Sequence, residues 1–195
     1  MRAPELERLR PLFAELASAL ERLGAAAVDG GTDAGVMQLL GRARADQTAS
    51  FPLVGVIVEA LASLEPAGLL DAPAIEPHHS QVVLVPGADW GDESPWIARV
   101  AGVLAGGRPS LTLLVNGGEI SLRDVGESVE AARRVVVAEG SGRTADLLAA
   151  ALRGESSDEQ ARTLADSGLV RAADVRDDGG RSVIETVEQI LSGGR

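Results

Sequence analysis

Apolar residues near the start of the chain recur three and four positions apart, at Leu6, Leu9, Phe13, Leu16, Leu20 and Leu23. That spacing places them on one face of a helix. Pro11 lies inside the pattern and is either the first-turn residue of this helix, with residues 1–10 a separate turn, or a kink in a longer one. The stripe stops at Gly24, which predicts a face packed on a core rather than a coiled coil. After Gly24 the period changes. Apolar runs at 25–28, 53–58, 81–85, 111–115 and 135–137, with another around 169–175, predict short strands of a parallel sheet. Helical spacing returns between them. Val36, Met37, Leu39, Leu40 and Ala43 form one such segment, residues 96–104 a second, and Ala145, Leu148 and Leu152 a third over 144–152. Ser121-x-x-Asp124, a capping-box variant, opens a helix before the fifth strand. An acidic helix near 158–166 and an amphipathic one through Val183, Val187, Ile190 and Leu191, after an Asp177-Asp178-Gly179-Gly180 turn, complete the pattern. Residues 66–77 read as a turn-rich connection. Residues 86–95 read as a loop with Asp89, Trp90, Asp92 and Glu93, and Trp96 just beyond. Strands alternating with helices predict a single α/β domain over 1–195, with a mainly parallel sheet in a three-layer sandwich.

Composition narrows the function classes. At 195 residues and 45% hydrophobic, the chain is long and apolar enough to bury a core without staples. It has no Cys, so disulfides and thiolate metal sites are excluded, which agrees with a reducing compartment. It also has no Lys, which removes the Walker A lysine and Schiff-base chemistry together. The net charge of −11, with no basic block, argues against nucleic acid and anionic membrane surfaces as partners. No apolar run approaches a membrane span, and the charged N-terminus does not read as a signal peptide. The expected location is cytoplasmic.

Candidate chemistry gathers at three glycine turns, each following a predicted strand: Gly30-Gly31, Gly117-Gly118 and Gly140-Ser141-Gly142. In an open parallel sheet the strand ends lie along one edge, where ligands bind and glycines let backbone approach them closely. Gly140-x-Gly142-x-x-Ala145 fits the G-x-G-x-x-G/A turn that presents backbone N–H groups to an anion at a helix N-terminus. Arg143 stands where a guanidinium grips a phosphate. A tight turn with Arg143 in solvent is the alternative.

Four segments in order carry a family resemblance: Val28-Asp-Gly-Gly-Thr-Asp-Ala-Gly-Val-Met37 with Gly41 beyond, His79-Ser-Gln-Val-Val-Leu-Val85, Leu114-Val-Asn-Gly-Gly118 and Glu139-Gly-Ser-Gly-Arg-Thr-Ala-Asp146. The stretch 25–152 resembles the ligand-binding SLOG domain at the N-terminus of TRPM-type cation channels, and still more that domain's prokaryotic relatives. The resemblance implies a Rossmann-like fold that binds a nucleotide-derived ligand, ADP-ribose or an NAD-related compound, rather than turning it over. Carried over by position, it implies that Gly30, Gly31 and Thr32 line the phosphate side. Gly117 and Gly118 approach the nucleotide, and Arg143, with Gly140, Ser141 and Gly142, holds a phosphate. Two departures stand out. SLOG sheets begin with a strand before the first helix, whereas this chain begins in or just ahead of that helix. The region after Val85 matches poorly and has no Tyr to stack on a base; Trp90 or Trp96 either substitutes or packs the loop.

Catalytic groups are sparse. His78 and His79 are the only histidines and read as loop residues, with no metal site expected. Ser141 does not fit G-x-S-x-G, and the Pro-Gly-Gly-x-Gly-Thr loop of nucleotide-cleaving relatives is missing. Asp29, Glu119, Glu139 and Asp146 read as solvated or helix-capping carboxylates, any of which is also a candidate for N-glycosidic cleavage. The leading expectation is a ligand sensor, alone, as a homo-oligomer or associated with a membrane effector. The rival is a nucleotide hydrolase or N-glycosidase, and a purely structural module is the third possibility.

Overall fold

The first helix, α1 (Ala3–Leu23), runs unbroken through Pro11, so the longer of the two readings holds. Pro11 forfeits one backbone hydrogen bond there. It lies on the exposed side, while Leu9, Leu12, Phe13, Leu16, Ala17 and Leu20 are buried. The apolar face outweighs the defect. The structure, a computed structural model, describes residues 3–62, 74–176 and 178–193. The connection expected at 66–77 therefore lies outside the described residues as far as residue 73, as does Asp177 of the 177–180 turn. The chain divides into two compact units, Met1–Leu104 and Ala105–Arg195.

In the first unit α1 is followed by β1 (Ala27–Asp29), α2 (Gly35–Asp46), β2 (Leu53–Val58), β3 (Gln81–Val85) and α3 (Ser94–Ala105). The strands lie in the order β1-β2-β3, both pairings parallel, with Asp29 opposite Gly55 and Val58 opposite Val85. All six residues of β2 are buried, as an unalternating apolar run requires. Val56, Val58 and Val85 form a core onto which Val28, Trp96, Ile97 and Val100 pack. The helix α1 packs against α2, and Glu21 near its end accepts hydrogen bonds from the Ser50 and Phe51 amides and the Ser50 hydroxyl.

The second unit contains β4 (Leu111–Val115), α4 (Ile120–Glu130), β5 (Arg134–Glu139), α5 (Arg143–Leu152), α6 (Glu159–Ala165), β6 (Val170–Asp174) and α7 (Arg181–Leu191). The order is β4-β5-β6, again all parallel. Val135 and Val137 of β5 pack with Val125 of α4, Ala145 and Leu148 of α5 and Ala161 and Leu164 of α6. Val136 points to the opposite face, and α7 packs against the same three strands without joining that cluster. Helices on both faces make this unit three-layered. Asp158 caps α6, its Oδ1 accepting the Ala161 amide at 2.7 Å.

The α/β architecture and its parallel pairing are as the periodicity predicts. Among the described residues, however, the strands pair as two parallel sheets of three. No helix among the described residues is long and apolar enough to cross a membrane.

Candidate functional site

Two of the three glycine turns are brought together in the second unit. Strands β4 and β5 are neighbours, with Val115 opposite Ala138, so the turns at 116–118 and 140–142 leave adjacent strand ends. Asn116 fastens them. It is 2% exposed and adopts a left-handed φ of 59°, which Asn tolerates better than most residues. Its amide donates to Ser141 Oγ at 2.7 Å, its Nδ2 donates to the Ser141 carbonyl at 2.7 Å, and its carbonyl accepts from the Ala145 amide at 2.9 Å. The Ser141 hydroxyl in turn donates to the Ala138 carbonyl at 2.6 Å, so it is spent within the turn. Thr144 Oγ1 donates to the Gly118 carbonyl at 2.8 Å and ties the start of α5 to the other turn. At Gly142, with φ of 103°, a Cβ would stand 2.9 Å from Asn116 Nδ2, so only glycine fits this crossing.

Some backbone donors in the turns are already occupied. The Gly118 amide donates to Ser121 Oγ at 2.9 Å, and the Gly140 amide to Asp146 Oδ1 at 2.6 Å. Ser121 is therefore inside α4, one residue past its start, and staples the turn instead of capping the helix as the Ser121-x-x-Asp124 spacing suggests. The amides of Gly117, Gly142, Arg143 and Thr144 have no acceptor among the described residues. Three of these are consecutive at the N-terminal end of α5, where the helix dipole also favours an anion. Arg143 itself is exposed and holds φ at 50°, an uncommon state for a residue with a Cβ. Its guanidinium lies over Gly118, whose Cβ, were there one, would be 3.3 Å from Nη2. No hydrogen bond or ion pair engages it among the described residues.

Glu139, Arg153, Asp174 and Arg176 near this edge are engaged with one another. Glu139 accepts from Arg153 Nη1 at 2.7 Å and from Arg176 Nη2 at 3.4 Å. Arg176 also pairs with Asp174, and its hydrogen bonds hold the Asp174 carboxyl below the usual range. The side chain of Arg176 lies across Gly140.

The turn at Gly30-Gly31-Thr32, in the first unit, has a different construction. Asp29 Oδ1 accepts the Gly31 amide at 2.7 Å and faces His79 Nε2 at 2.8 Å. His79 Nδ1 faces Glu76 Oε2 at 2.9 Å, and Glu76 Oε1 faces His78 Nδ1 at 2.5 Å. The Glu76 amide donates to the Gly31 carbonyl and the Asp33 amide to the Ala74 carbonyl, clamping the turn from its far side. Glu76 and His79 are each 1% exposed in their side chains, and His78 39%. Burial works against a charged His79, but hydrogen bonds and charges of Asp29 and Glu76 outweigh it and raise its pKa above 6.5. Gly41 of α2 makes room for this cluster, since a Cβ there would collide with the Glu76 carboxyl. His78 and His79 do lie in a loop, as the sequence suggests, but both converge on one buried carboxylate, which sequence reasoning missed. The visible signals were a lone Glu76 just before the His78-His79 pair and Gly41 at the end of the first motif.

A family described as SLOG in TRPM, prokaryote, matches residues 1–183. The chain belongs to this family. Among curated proteins none matches it. Solved structures share the fold of this SLOG chain, which is Rossmann-like. TM1055 superposes with a TM-score of 0.65 at 21% identity, covering 97% of this chain and 92% of that one. The molybdenum cofactor carrier protein of Chlamydomonas reinhardtii gives 0.63 at 18% identity, covering 98% and 91%. The molybdenum cofactor binding protein from the phototrophic bacterium Rippkaea orientalis gives 0.60 at 11% identity, covering 98% and 90%.

Other sequence candidates in the SLOG chain divide clearly. Trp96 packs the first unit's core with Arg99 stacked on its ring at 5.5 Å, whereas Trp90 is 43% exposed. Of the four carboxylates, Asp29, Glu139 and Asp146 are held by donors of the chain itself, and Glu119 is exposed at the start of α4 with no capping bond.

Proposed function

We propose that this SLOG chain binds a nucleotide-derived ligand, ADP-ribose or an NAD-related compound, and that Arg143 grips a phosphate of it. One observation carries the reading: among the described residues the Arg143 guanidinium, on a residue in an uncommon left-handed backbone state, has no partner and stands beside three amides without an acceptor at a helix N-terminus. Backbone amides and a helix dipole favour an anion there, and a guanidinium adds a charge-assisted fork. Gly117 and Gly142 bring backbone close to the ligand, Gly118 leaves room for Arg143, and Gly140 and Ser141 build the turn. Within the first unit, Gly30, Gly31 and Thr32 are a separate candidate for facing a ligand, on the family resemblance alone. Binding without turnover fits the carboxylates, three of which are already occupied. A cytoplasmic sensor, acting alone, as a homo-oligomer or on a membrane effector, is the role this chemistry serves.

A thermal-shift screen of ADP-ribose, NAD and adenine nucleotides tests it. A ligand at a hundred times its dissociation constant stabilises the fold by about 2.7 kcal/mol, a shift of about 5–11 °C at this chain length. The molybdenum cofactor, after which two of the structural neighbours are named, is the next compound to screen. A melt that none of these compounds shifts refutes the reading. Release of nicotinamide or ribose phosphate during incubation, faster than about 1 s⁻¹, replaces sensor with hydrolase.

A further inference from the structure

The chain Asp29, His79, Glu76, His78 is a continuous line of hydrogen-bonding groups from the Gly30-Gly31 turn to a half-exposed imidazole, with steps of 2.8, 2.9 and 2.5 Å. We infer that it is a proton-operated latch: the His79 imidazolium draws Asp29 and Glu76 together across the Gly30-Gly31 turn, and loss of its Nδ1 proton to Glu76, on to His78 and out to solvent, removes the charge that holds Glu76 and loosens the turn.

The geometry carries this. Both ring nitrogens of His79 face carboxylate oxygens, and only the charged ring donates through both. The neutral ring that remains after Nδ1 loses its proton still donates to Asp29 through Nε2 but turns a lone pair toward Glu76 Oε2. Among the described residues that oxygen then keeps only the His78 amide at 2.9 Å, and the Glu76 backbone amide is what clamps the Gly31 carbonyl. Asp29 is already short of partners, because its Oδ2 is buried with no hydrogen bond. The Gly31 amide depends on Asp29 Oδ1, so whatever moves that oxygen moves the turn. Among the described residues, none supplies a substitute cation at the ring. From β2 the neighbour is Gly55, which carries no charge, and from α2 it is Gly41, against Glu76. Arg44 of α2 donates Nη1 to the His78 carbonyl at 3.1 Å and holds the outer end in place. His79 and Glu76 are positioning residues acting through Asp29. That the turn serves a ligand rests on the function proposed above; the latch does not.

The test follows His79 ring nitrogens and backbone amides by NMR in the full chain, without ligand, from about pH 6 to about pH 9. Both His79 ring nitrogens are expected to stay protonated above pH 6.5, and the Gly31 amide to shift along the same curve, while the Gly142 amide does not. Glu76→Gln removes one carboxylate charge and is expected to move the His79 and Gly31 curves together to lower pH. If Glu76→Gln fails to fold, His78→Gln at the exposed end is expected to displace both curves equally. Unfolding that sets in as His79 loses its proton also supports the latch. A His79 that titrates at the ordinary value, or a Gly31 amide whose curve parts from that of His79, overturns it. ADP-ribose is absent throughout, so failure of the latch and failure of the ligand reading are separate results.

Discussion

The Gly30-Gly31 turn and the Gly140–Gly142 turn arise from one sequence pattern, an apolar parallel strand running into glycines ahead of a helix. They end as opposite kinds of place. After Gly142 the helix starts at once, so open amides and the dipole act at the turn. After Gly31 the chain runs on to an N-cap at Ala34, and the Gly31 amide is taken by a carboxylate. The second turn is left positive and open. The first is closed by a buried ion cluster in which one histidine serves two carboxylates. Glycine at a strand end therefore licenses close approach; the side chains brought up from elsewhere decide whether ligand or protein fills the space.

The contrast predicts that substitutions in the first turn's cluster act on stability and those in the second act on binding. Glu76→Ala has the largest expected effect. Removing one partner of a buried ionic group costs about 3–5 kcal/mol, or about 6–20 °C in Tm at this length, measurable by calorimetry. The same cluster sets a pH dependence. His79 is raised in the fold, so its contribution is fully present below pH 6.5 and lost as pH rises through the folded value; urea midpoints should fall on the alkaline side, and less so in His79→Gln.

Ser141→Ala comes next. Its hydroxyl joins Asn116 to Ala138 in a fully buried position, and losing it costs about 1–3 kcal/mol, read as a lower urea midpoint at unchanged m. Arg143→Gly should do the reverse and raise ligand-free stability by about 1 kcal/mol by removing the left-handed strain, while abolishing the advantage of the charge for binding. A destabilised Arg143→Gly would mean that Arg143 supports the fold. Smallest is Glu21, whose carboxyl is held below its ordinary pKa first by the Ser50 bonds and then by the Phe51 amide. Its contribution is present above pH 4.5 and lost as pH falls through the folded value, so Glu21→Gln should flatten the acid limb of the stability curve slightly.

Strands β2, β3 and β4 fall where the apolar runs place them; in β2 this is because continuous burial in a parallel sheet writes itself into consecutive residues, whereas β3 keeps its apolar run while largely exposed. That the Asn116–Gly118 and Gly140–Arg143 turns lie at the same end of parallel strands was legible, and so was Arg143 from its place after the second glycine; their adjacency was not, because periodicity carries no strand order. What periodicity hides is polar work over long separations. Asn116 tying itself to Ser141, Ser121 holding Gly118 and Glu76 binding both histidines follow no period, since each bond depends on where the backbone brings the partner. The histidine pair looked like ordinary loop residues because its carboxylate partners include Asp29, 50 residues away. The passage of α1 through Pro11 was equally undecidable from spacing, since the buried leucines that stabilise it belong to either reading.

The most direct measurement is an amide NMR titration of the parent chain and Arg143→Ala with ADP-ribose. In the parent, the Gly117, Gly142, Arg143 and Thr144 amides are predicted to shift together on one saturating curve. In Arg143→Ala the same backbone amides, that of the substituted residue included, should respond with affinity about 10- to 150-fold weaker, the loss of a charged hydrogen bond of about 1.5–3 kcal/mol. Saturable shifts that leave these amides unmoved, or an Arg143→Ala chain that binds as tightly as the parent, would contradict the phosphate site at this turn.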